Sequence, residues 1–315
     1  VVLVTDVSAA VVSYNTRELT LRCLRATEAA AGADTALTLV DNGSRDGTVE
    51  AVRAQCPRWR VLVLSDNPGY GAALNRAFAA CPGAFHLALN ADVFLEPAAL
   101  GTLRDFLART PASALAGPAL VYPDGRPQPS AKRLPALGFA VAETLGVHAL
   151  APSSAAVRRF YYADRVFERP TAVEAVSGAA MLIRGEAYRA IGGFDEGFRM
   201  YFEETDLCRR LHAAGFEVTL VPEARAVHWH AASSRQTTVR QVEYYVSYVR
   251  FLTAHRGRAA GRLLAGTVAL STALRMLGLV VKYPPVGARR TVLSEKLSAC
   301  RRLLAALARP APVRP

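Results

Sequence analysis

Acids, amides and histidines that could do chemistry gather at four places in this chain of 315 residues. In FHLALNADVFLEP the apolar run Phe85 to Leu89 stops at Asn90-Ala91-Asp92, and Val93-Phe94-Leu95 resumes it. A carboxylate there suits a hard divalent cation that also grips a diphosphate, since such sites need only one or two protein carboxylates. The same residues also make an ordinary Asx turn. Asp41 opens Asp-Asn-Gly-Ser, another good turn, and its carboxylate suits hydrogen bonds from a nucleobase or ribose. Tyr201-Phe202-Glu203-Glu204-Thr205-Asp206 sets three acids at a helix start, where the dipole favours each by roughly 0.3–1 kcal/mol. Asp206 and Arg210 are also spaced as an i, i+4 pair. After the apolar Met200-Tyr201-Phe202, however, three acids are partly desolvated and mutually repelling, which raises a pKa and suits a general base. Finally, His228-Trp229-His230 follows Pro222. On an extended segment its two histidines face opposite ways, so at most one faces a site.

The elements that must hold these groups alternate. Strands are expected at Ala9 to Ser13, Ala36 to Val40, Val61 to Leu64 and Phe85 to Leu89, with helices between them. Asn15, with Glu18 three residues on, is the expected N-cap of the first helix. This pattern implies an α/β fold with a mostly parallel sheet flanked by helices. Ligands of such sheets lie beyond the carboxyl ends of the strands. Ser13-Tyr14-Asn15, Asp41-Asn42, Asp66-Asn67 and Asn90-Ala91-Asp92 all fall there. Residues 111–170 are Pro-rich and unresolved by periodicity. Thr171 to Arg184 reads as a strand kinked at Gly178, Glu203 to Ala214 as a helix stopped by Gly215, and Phe216 to Val221 as the last strand.

Hydrophobic residues make up 51% and charged residues 20%, which supports a packed core and excludes global disorder. Five scattered cysteines with no CxxC pair argue against a disulfide framework or zinc site and suit a reducing cytosol. The opening VVLVTDVSAAVV lacks a basic n-region and carries Asp6, so it does not read as a signal peptide. Net charge is +12, and residues 240–315 supply all of it, with 14 Lys and Arg against Glu243 and Glu295. Two domains are therefore expected, a body over residues 1–238 and a basic helical appendage over 239–315. Leu263 to Val281 is long enough to span a bilayer but holds Arg275, and a central Arg costs roughly 2.5–3.5 kcal/mol on insertion. A helix lying on the membrane surface fits better. A packing or dimerising element, giving a homodimer, is the alternative. Apolar residues dominate the face, so no nucleic acid partner is expected.

The chain resembles the family-2 inverting glycosyltransferases of GT-A fold, and within them the bacterial rhamnosyltransferases that build cell-surface polysaccharide. The stretches that carry the likeness are VVSYNTRELTLRCL, LVDNGSRDGT, DNPGYGAALNRA, LALNADVFLEP, DGRPQPSAKRLP and the long run from Val176 to His230. The resemblance implies that Ser13, Asn15, Asp41, Asn67, Gly69, Asn75 and Asn90 surround the nucleotide-sugar donor. It implies that Asp92 ends the metal-binding D-x-D and that His228 approaches the metal or diphosphate. It places the base at Glu204, with Glu203 or Asp206 as alternatives.

The implied cofactor is a divalent cation, Mg²⁺ or Mn²⁺. The implied donor is dTDP-rhamnose, and the acceptor is a lipid-linked saccharide met at the inner face of the cell membrane by a cytoplasmic, peripheral protein. Three departures stand out. Asn90 replaces the first acid of D-x-D, Glu204 stands where an Asp is usual, and Ala231-Ala232 lacks a common glycine. Two other readings remain: a different family-2 hexosyltransferase, or a non-catalytic membrane-bound partner protein that keeps the fold. A sugar nucleotidyltransferase would carry a Gly-rich turn where Ser13-Tyr14-Asn15 stands.

Overall fold

The computed structural model describes residues 5–229, 237–282 and 289–308. His230 and Ala231-Ala232 lie outside the described residues. The first part of the chain runs β1 (Thr5–Ser13), α1 (Arg17–Ala30), β2 (Thr35–Asp41), α2 (Thr48–Gln55), β3 (Arg60–Val63), α3 (Tyr70–Ala80) and β4 (Gly83–Asn90). Then come β5 (Val93–Leu95), α4 (Ala99–Arg109), β6 (Ser113–Val121), β7 (Ala131–Lys132), α5 (Leu137–Thr144), α6 (Val147–Leu150) and α7 (Ala155–Phe160). Next are β8 (Thr171–Ala172), β9 (Ala175–Val176), β10 (Ala180–Arg184), α8 (Gly185–Ala190), α9 (Glu203–Ala213) and β11 (Glu217–His228). Three helices close the described chain: α10 (Thr237–Arg256), α11 (Arg258–Lys282) and α12 (Arg289–Leu307).

The main sheet has the order β3-β2-β1-β4-β10-β6-β11-β5, with β8 also paired to β11. Strands β3, β2, β1 and β4 are parallel to one another, and β11 is parallel to β6. β10 is inserted antiparallel between β4 and β6, and β5 lies antiparallel on β11. The strands alternate faces, so each feeds two cores. Leu39, Leu87 and Leu89 pack with Leu24 of α1 on one face. Val40, Ala88 and Met181 pack with Leu74 and Phe194 on the other. Burial of each such leucine stabilises by about 1.5–3 kcal/mol.

Three expectations are corrected locally. The N-cap of α1 is Thr16. Asn15 stands outside the helix at φ 52, and its Oδ1 accepts the Arg45 amide at 2.8 Å. The Arg17 amide finds its acceptor on Asp46 Oδ2, 2.9 Å away on the next loop. Residues 111–170 hide β6, a strand buried on both faces and therefore without alternation. The last strand runs seven residues past Val221 to His228. Pro222 has no N–H for the ladder, so β11 slips register between Val221 and Arg225 and then resumes pairing with β6.

The chain divides into two compact units. The first comprises Val1–Leu134, Arg159–Glu196 and Glu203–Arg235 and contains the sheet. The second comprises Pro135–Arg158, Gly197–Phe202 and Gln236–Pro315. A cut at residue 238 would assign the two short segments to the body, whereas they cluster with the C-terminal helices. Phe202 stacks on Tyr248 at 4.5 Å, Arg250 lies over the Phe198 ring, and Ser247 Oγ donates to the Met200 carbonyl. Ser271 Oγ of α11 likewise donates to the Thr144 carbonyl of α5.

α11 is long and apolar enough to cross a membrane by length and composition. One stripe of it, Ala260, Leu264, Val268 and Thr272, is buried in the second unit. Leu263, Leu270, Leu274, Leu277 and Val281 are all more than half exposed. Their spacing of seven, four, three and four residues places them on one face. At 100° per residue, Arg275 falls on the side of the buried stripe, away from these leucines.

Candidate active site

The parallel strands end on one edge of the sheet, and the register fixes what stands there. Ser13 ends β1 opposite Asp41 of β2, and Val12 lies opposite Asn90 of β4. β10 runs the other way, so its leading residues meet the ends of its neighbours: the Asn90 amide donates to the Ala179 carbonyl at 3.0 Å. β5 begins where β11 ends, with His228 opposite Val93. Asp41 and Asn90 thus stand about 10 Å apart, two strand spacings along the same edge.

Asp41 is fully buried. Its Oδ1 accepts the amides of Gly43 and Ser44 at 3.1 and 2.8 Å, and its Oδ2 is buried with no hydrogen bond. One oxygen therefore builds the turn and the other remains for a donor such as a ribose hydroxyl. Gly69 has φ 102 at the start of α3, a conformation that requires glycine, and Asn67 before it has φ 42. Asn42 Nδ2 reaches the Gly69 carbonyl at 3.5 Å and ties these two loops together.

Asp92 and His228 form the second feature. Both are buried, and His228 Nε2 lies 3.5 Å from Asp92 Oδ1, which accepts no hydrogen bond. The other ring nitrogen, Nδ1, is 2.9 Å from Gln128 Oε1. An amide oxygen only accepts, so Nδ1 is the ring nitrogen that donates to Gln128, and the Nε2 edge of the ring is the one turned to the carboxylate. A buried carboxylate oxygen and an imidazole nitrogen this close are ligand types that can share one cation. Among the described residues no three His, Cys, Asp or Glu side chains cluster as a complete metal site. The pair matches a hard ion that takes its remaining ligands from phosphate and water. Cys23 supports the same corner. Burial pushes its thiol up to about 12, and it donates to the Asn90 carbonyl at 3.4 Å.

The third feature is the start of α9. Tyr201 and Phe202 lead into it with φ of 68 and 67, left-handed conformations that cost of order 1–3 kcal/mol each in residues with a side chain. Glu203 and Glu204 follow, both buried. Glu204 Oε1 accepts Lys132 Nζ at 2.6 Å and Thr205 Oγ1 at 3.1 Å. Burial alone would push Glu204 up, but the charge and hydrogen bond of Lys132 bring it below the usual carboxylate range. Glu203 has no such partner: burial and then the charge of Glu204 push it up to about 8, and its Oε2 is buried without a hydrogen bond.

These features are neighbours. A Cβ on Gly178 would meet Cβ and Cγ of Glu204 at 3.1 Å, and the Gly178 carbonyl accepts Tyr70 OH at 3.0 Å. Burial holds Tyr70 protonated, and the charges of Glu203, Glu204 and Asp92 all add to that effect. Gly178 is followed directly by Ala179, which holds Asn90.

Other candidates are engaged elsewhere. Ser13 Oγ is buried against the hydroxyls of Thr20 and Thr16. The Asn75 amide clamps the segment after α8: Nδ2 donates to the Phe194 carbonyl and Glu196 Oε1, and Oδ1 accepts from the Phe194 amide and Tyr188 OH. Asp206 Oδ2 accepts Arg210 Nε at 2.7 Å, the i, i+4 pair its spacing allows. Lys132, Gln128 and Tyr70 were not singled out by sequence reasoning. Lys132 and Gln128 lie in DGRPQPSAKRLP, where their spacing carries no helical or strand period.

The strand order with its inserted antiparallel β10, and the strand ends gathered on one edge, are those of a GT-A fold. The mannosyltransferase PcManGT from Pyrobaculum calidifontis, solved with GDP-Man and Mn²⁺, shares this fold. It has a TM-score of 0.56 and 15% identity, over 98% of this chain and 87% of that one. GalNAc-T7, solved with UDP, GalNAc and Mn²⁺, matches with a TM-score of 0.56 and 14% identity, over 81% of this chain and 48% of that one. The model of glycosyl transferase family 2 matches residues 8–192, and that of glycosyl transferase family group 2 matches residues 147–307. The N-acetylglucosaminyl-diphospho-decaprenol L-rhamnosyltransferase of Mycobacterium tuberculosis is 32% identical over 259 residues, covering 75% of this chain and 81% of its own. The rhamnosyltransferase WbbL of Escherichia coli is 33% identical over 87 residues, 27% of this chain and 33% of its own. The chain belongs to glycosyl transferase family 2 and is a rhamnosyltransferase-like glycosyltransferase.

Proposed function

We propose that the protein transfers a rhamnosyl group, with inversion, from dTDP-rhamnose to a lipid-linked saccharide. The observation that carries this reading is the grouping, through Tyr70, Gly178 and Ala179, of the Asp92–His228 pair with the Glu203–Glu204 carboxylates. The first suits the leaving diphosphate and the second the incoming hydroxyl. Asp41 Oδ2, Asn67 and Gly69 belong to the nucleoside end. Asp92 and His228 would hold Mg²⁺ or Mn²⁺, which offsets the negative charge developing on the nucleoside diphosphate. Glu204 takes the proton of the acceptor hydroxyl as its oxygen bonds to the anomeric carbon. The bond from that carbon to the diphosphate oxygen breaks with its electron pair, and a single displacement inverts the centre. No enzyme nucleophile takes part.

The M. tuberculosis relative supports the choice of donor and acceptor, since its name specifies L-rhamnose and an N-acetylglucosaminyl-diphospho-decaprenol. The tail supports a lipid acceptor independently. Its exposed face of Leu263, Leu270, Leu274, Leu277 and Val281 would lie against the inner leaflet of the cell membrane.

The test is transfer onto N-acetylglucosaminyl-diphospho-polyprenol with dTDP-rhamnose, UDP-N-acetylglucosamine and GDP-mannose as competing donors. Rhamnosylated product with inverted configuration supports the reading. Preferred use of another donor would assign the chain to a different family-2 hexosyltransferase, and retained configuration would remove the single-displacement mechanism.

A further inference from the structure

We propose that Lys132 is a positioning residue of the reaction: its ammonium anchors Glu204 Oε1, so that Oε2 of the same carboxylate is the atom presented to the acceptor hydroxyl. The inference rests on the reading of Glu204 as base. Its grounds are geometric. Lys132 ends the two-residue strand β7, which pairs with β9 in register Lys132 opposite Ala175. That pairing holds the ammonium 2.6 Å from Oε1, where Thr205 Oγ1 also donates. Oε1 is thereby occupied on two sides, while Oε2 accepts no bond from another described residue. Gly178 lies beside the arm, close enough that a Cβ added there would come within 3.1 Å of Glu204 Cβ and Cγ, which limits the room of the longer glutamate on that side. A glutamate where an aspartate is usual would otherwise carry one more rotatable bond and a less certain carboxylate position.

The same contact apportions charge between two adjacent acids that cannot both ionise without repulsion. Lys132 faces Glu204, and Glu203 is left with a buried, unbonded Oε2. Tyr70 of α3 and Cys208 of α9 interact with the pair, as Tyr161 does with Lys132, and Asp92 and Asp206 lie beyond Tyr70 and Cys208. Burial keeps the Tyr70 phenol and the Cys208 thiol protonated far above neutrality, the latter to about 12. Lys132 is therefore the group that keeps Glu204 anionic, and Glu203 carries the proton.

Lys132→Met and Lys132→Arg test the proposal, each with its fold checked by circular dichroism. In Lys132→Met the acid limb of the kcat profile moves upward by at least one pH unit. kcat falls about 10–100-fold while KM for the nucleotide sugar changes less than threefold. Lys132→Arg restores most of kcat. A raised donor KM with an unmoved acid limb would mean that Lys132 binds the diphosphate, and the proposal fails. A second readout needs no substrate. Infrared titration of the carboxylate band in wild type, Glu204→Gln and Lys132→Met shows a low-titrating carboxylate that vanishes in the second and moves up in the third. If that carboxylate survives Lys132→Met unmoved, the positioning role is wrong even where transfer is observed. If it moves as expected while no donor is used, the proposed activity is wrong and the charge assignment stands.

Discussion

His228 Nε2 faces Asp92 Oδ1 across 3.5 Å, and the other end of the ring is fixed by Gln128 Oε1, 2.9 Å from Nδ1. The proposed function puts a divalent cation at this pair. Nucleoside diphosphate with Mn²⁺ is therefore expected to raise the melting temperature more than nucleotide alone, by an amount equivalent to about 2–3 kcal/mol when the ligand is near 100 Kd. Asp92→Asn and His228→Ala remove the metal-dependent increment and leave the nucleotide increment. An Asp92→Asn protein with an unchanged metal response would place the cation elsewhere.

A methyl group on Gly178 would crowd the Glu204 arm, since an added Cβ comes within 3.1 Å of its Cβ and Cγ. Gly178→Ala is expected to cost about 1–3 kcal/mol through overpacking. It lowers kcat at least tenfold because the carboxylate is displaced rather than removed. Chemical denaturation and steady-state kinetics measure the two effects separately. Native stability together with native kcat would show that the arm is free to move.

Asn75 separates a fold-holding role from a donor-binding one. Its amide makes four hydrogen bonds to residues 188–196. Asn75→Ala is expected to destabilise by about 2–4 kcal/mol, because buried partners lose their bonds. The affinity for nucleotide, measured by calorimetry below the melting transition, changes less than threefold. A selective loss of nucleotide binding would return Asn75 to the donor pocket.

The two glutamates predict opposite pH effects. Glu203 is raised from an ordinary 4.5 to about 8, so between those values the folded protein holds a proton that the unfolded chain releases. Stability attributable to it therefore falls as pH rises from 4.5 to about 8 and is then constant. Glu204 is lowered, so its contribution is present above the ordinary carboxylate value and is lost as pH falls through the folded one. Glu203→Gln is expected to stabilise by about 1–3 kcal/mol at pH 8 and by much less at pH 4.5. Urea unfolding at the two pH values measures the difference, and an equal effect at both would rule out the assigned proton.

The leucine face of α11 predicts lipid binding. Replacing Leu270, Leu274 and Leu277, each more than half exposed, by Lys is expected to abolish flotation with vesicles of anionic phospholipid. The melting temperature changes little, because these side chains leave the buried stripe intact. High salt weakens flotation of the wild type only in part, since the apolar term persists. Undiminished flotation of the triple variant would exclude this face. A concentration-dependent dimer lost in the same variant would assign the face to a second copy of the chain.

Much of the framework is legible in the chain itself. Four apolar runs, each ending in an amide or acid, determine a parallel sheet and the edge at which its ligands lie, because strand ends and their loops are local in sequence. The basic tail and its helices are equally local, since charge and helical period are properties of short windows. β6 shows no alternation because it is buried on both faces, and Pro222 reads as a strand stop where β11 has a register shift and continues. The site divides in the same way. Asp41, Asp92, Glu204 and His228 were legible as chemical types at structural boundaries. Their division of labour was not, because it depends on partners distant in the chain: Lys132 lies 72 residues from Glu204, and Gln128 lies 100 from His228. Sequence determined which groups can carry charge. Only the tertiary structure decided which carboxylate oxygen is neutralised, which is left bare, and which partners Ser13, Asn75 and Asp206 bond to, because hydrogen bonding and desolvation are set by neighbours in space.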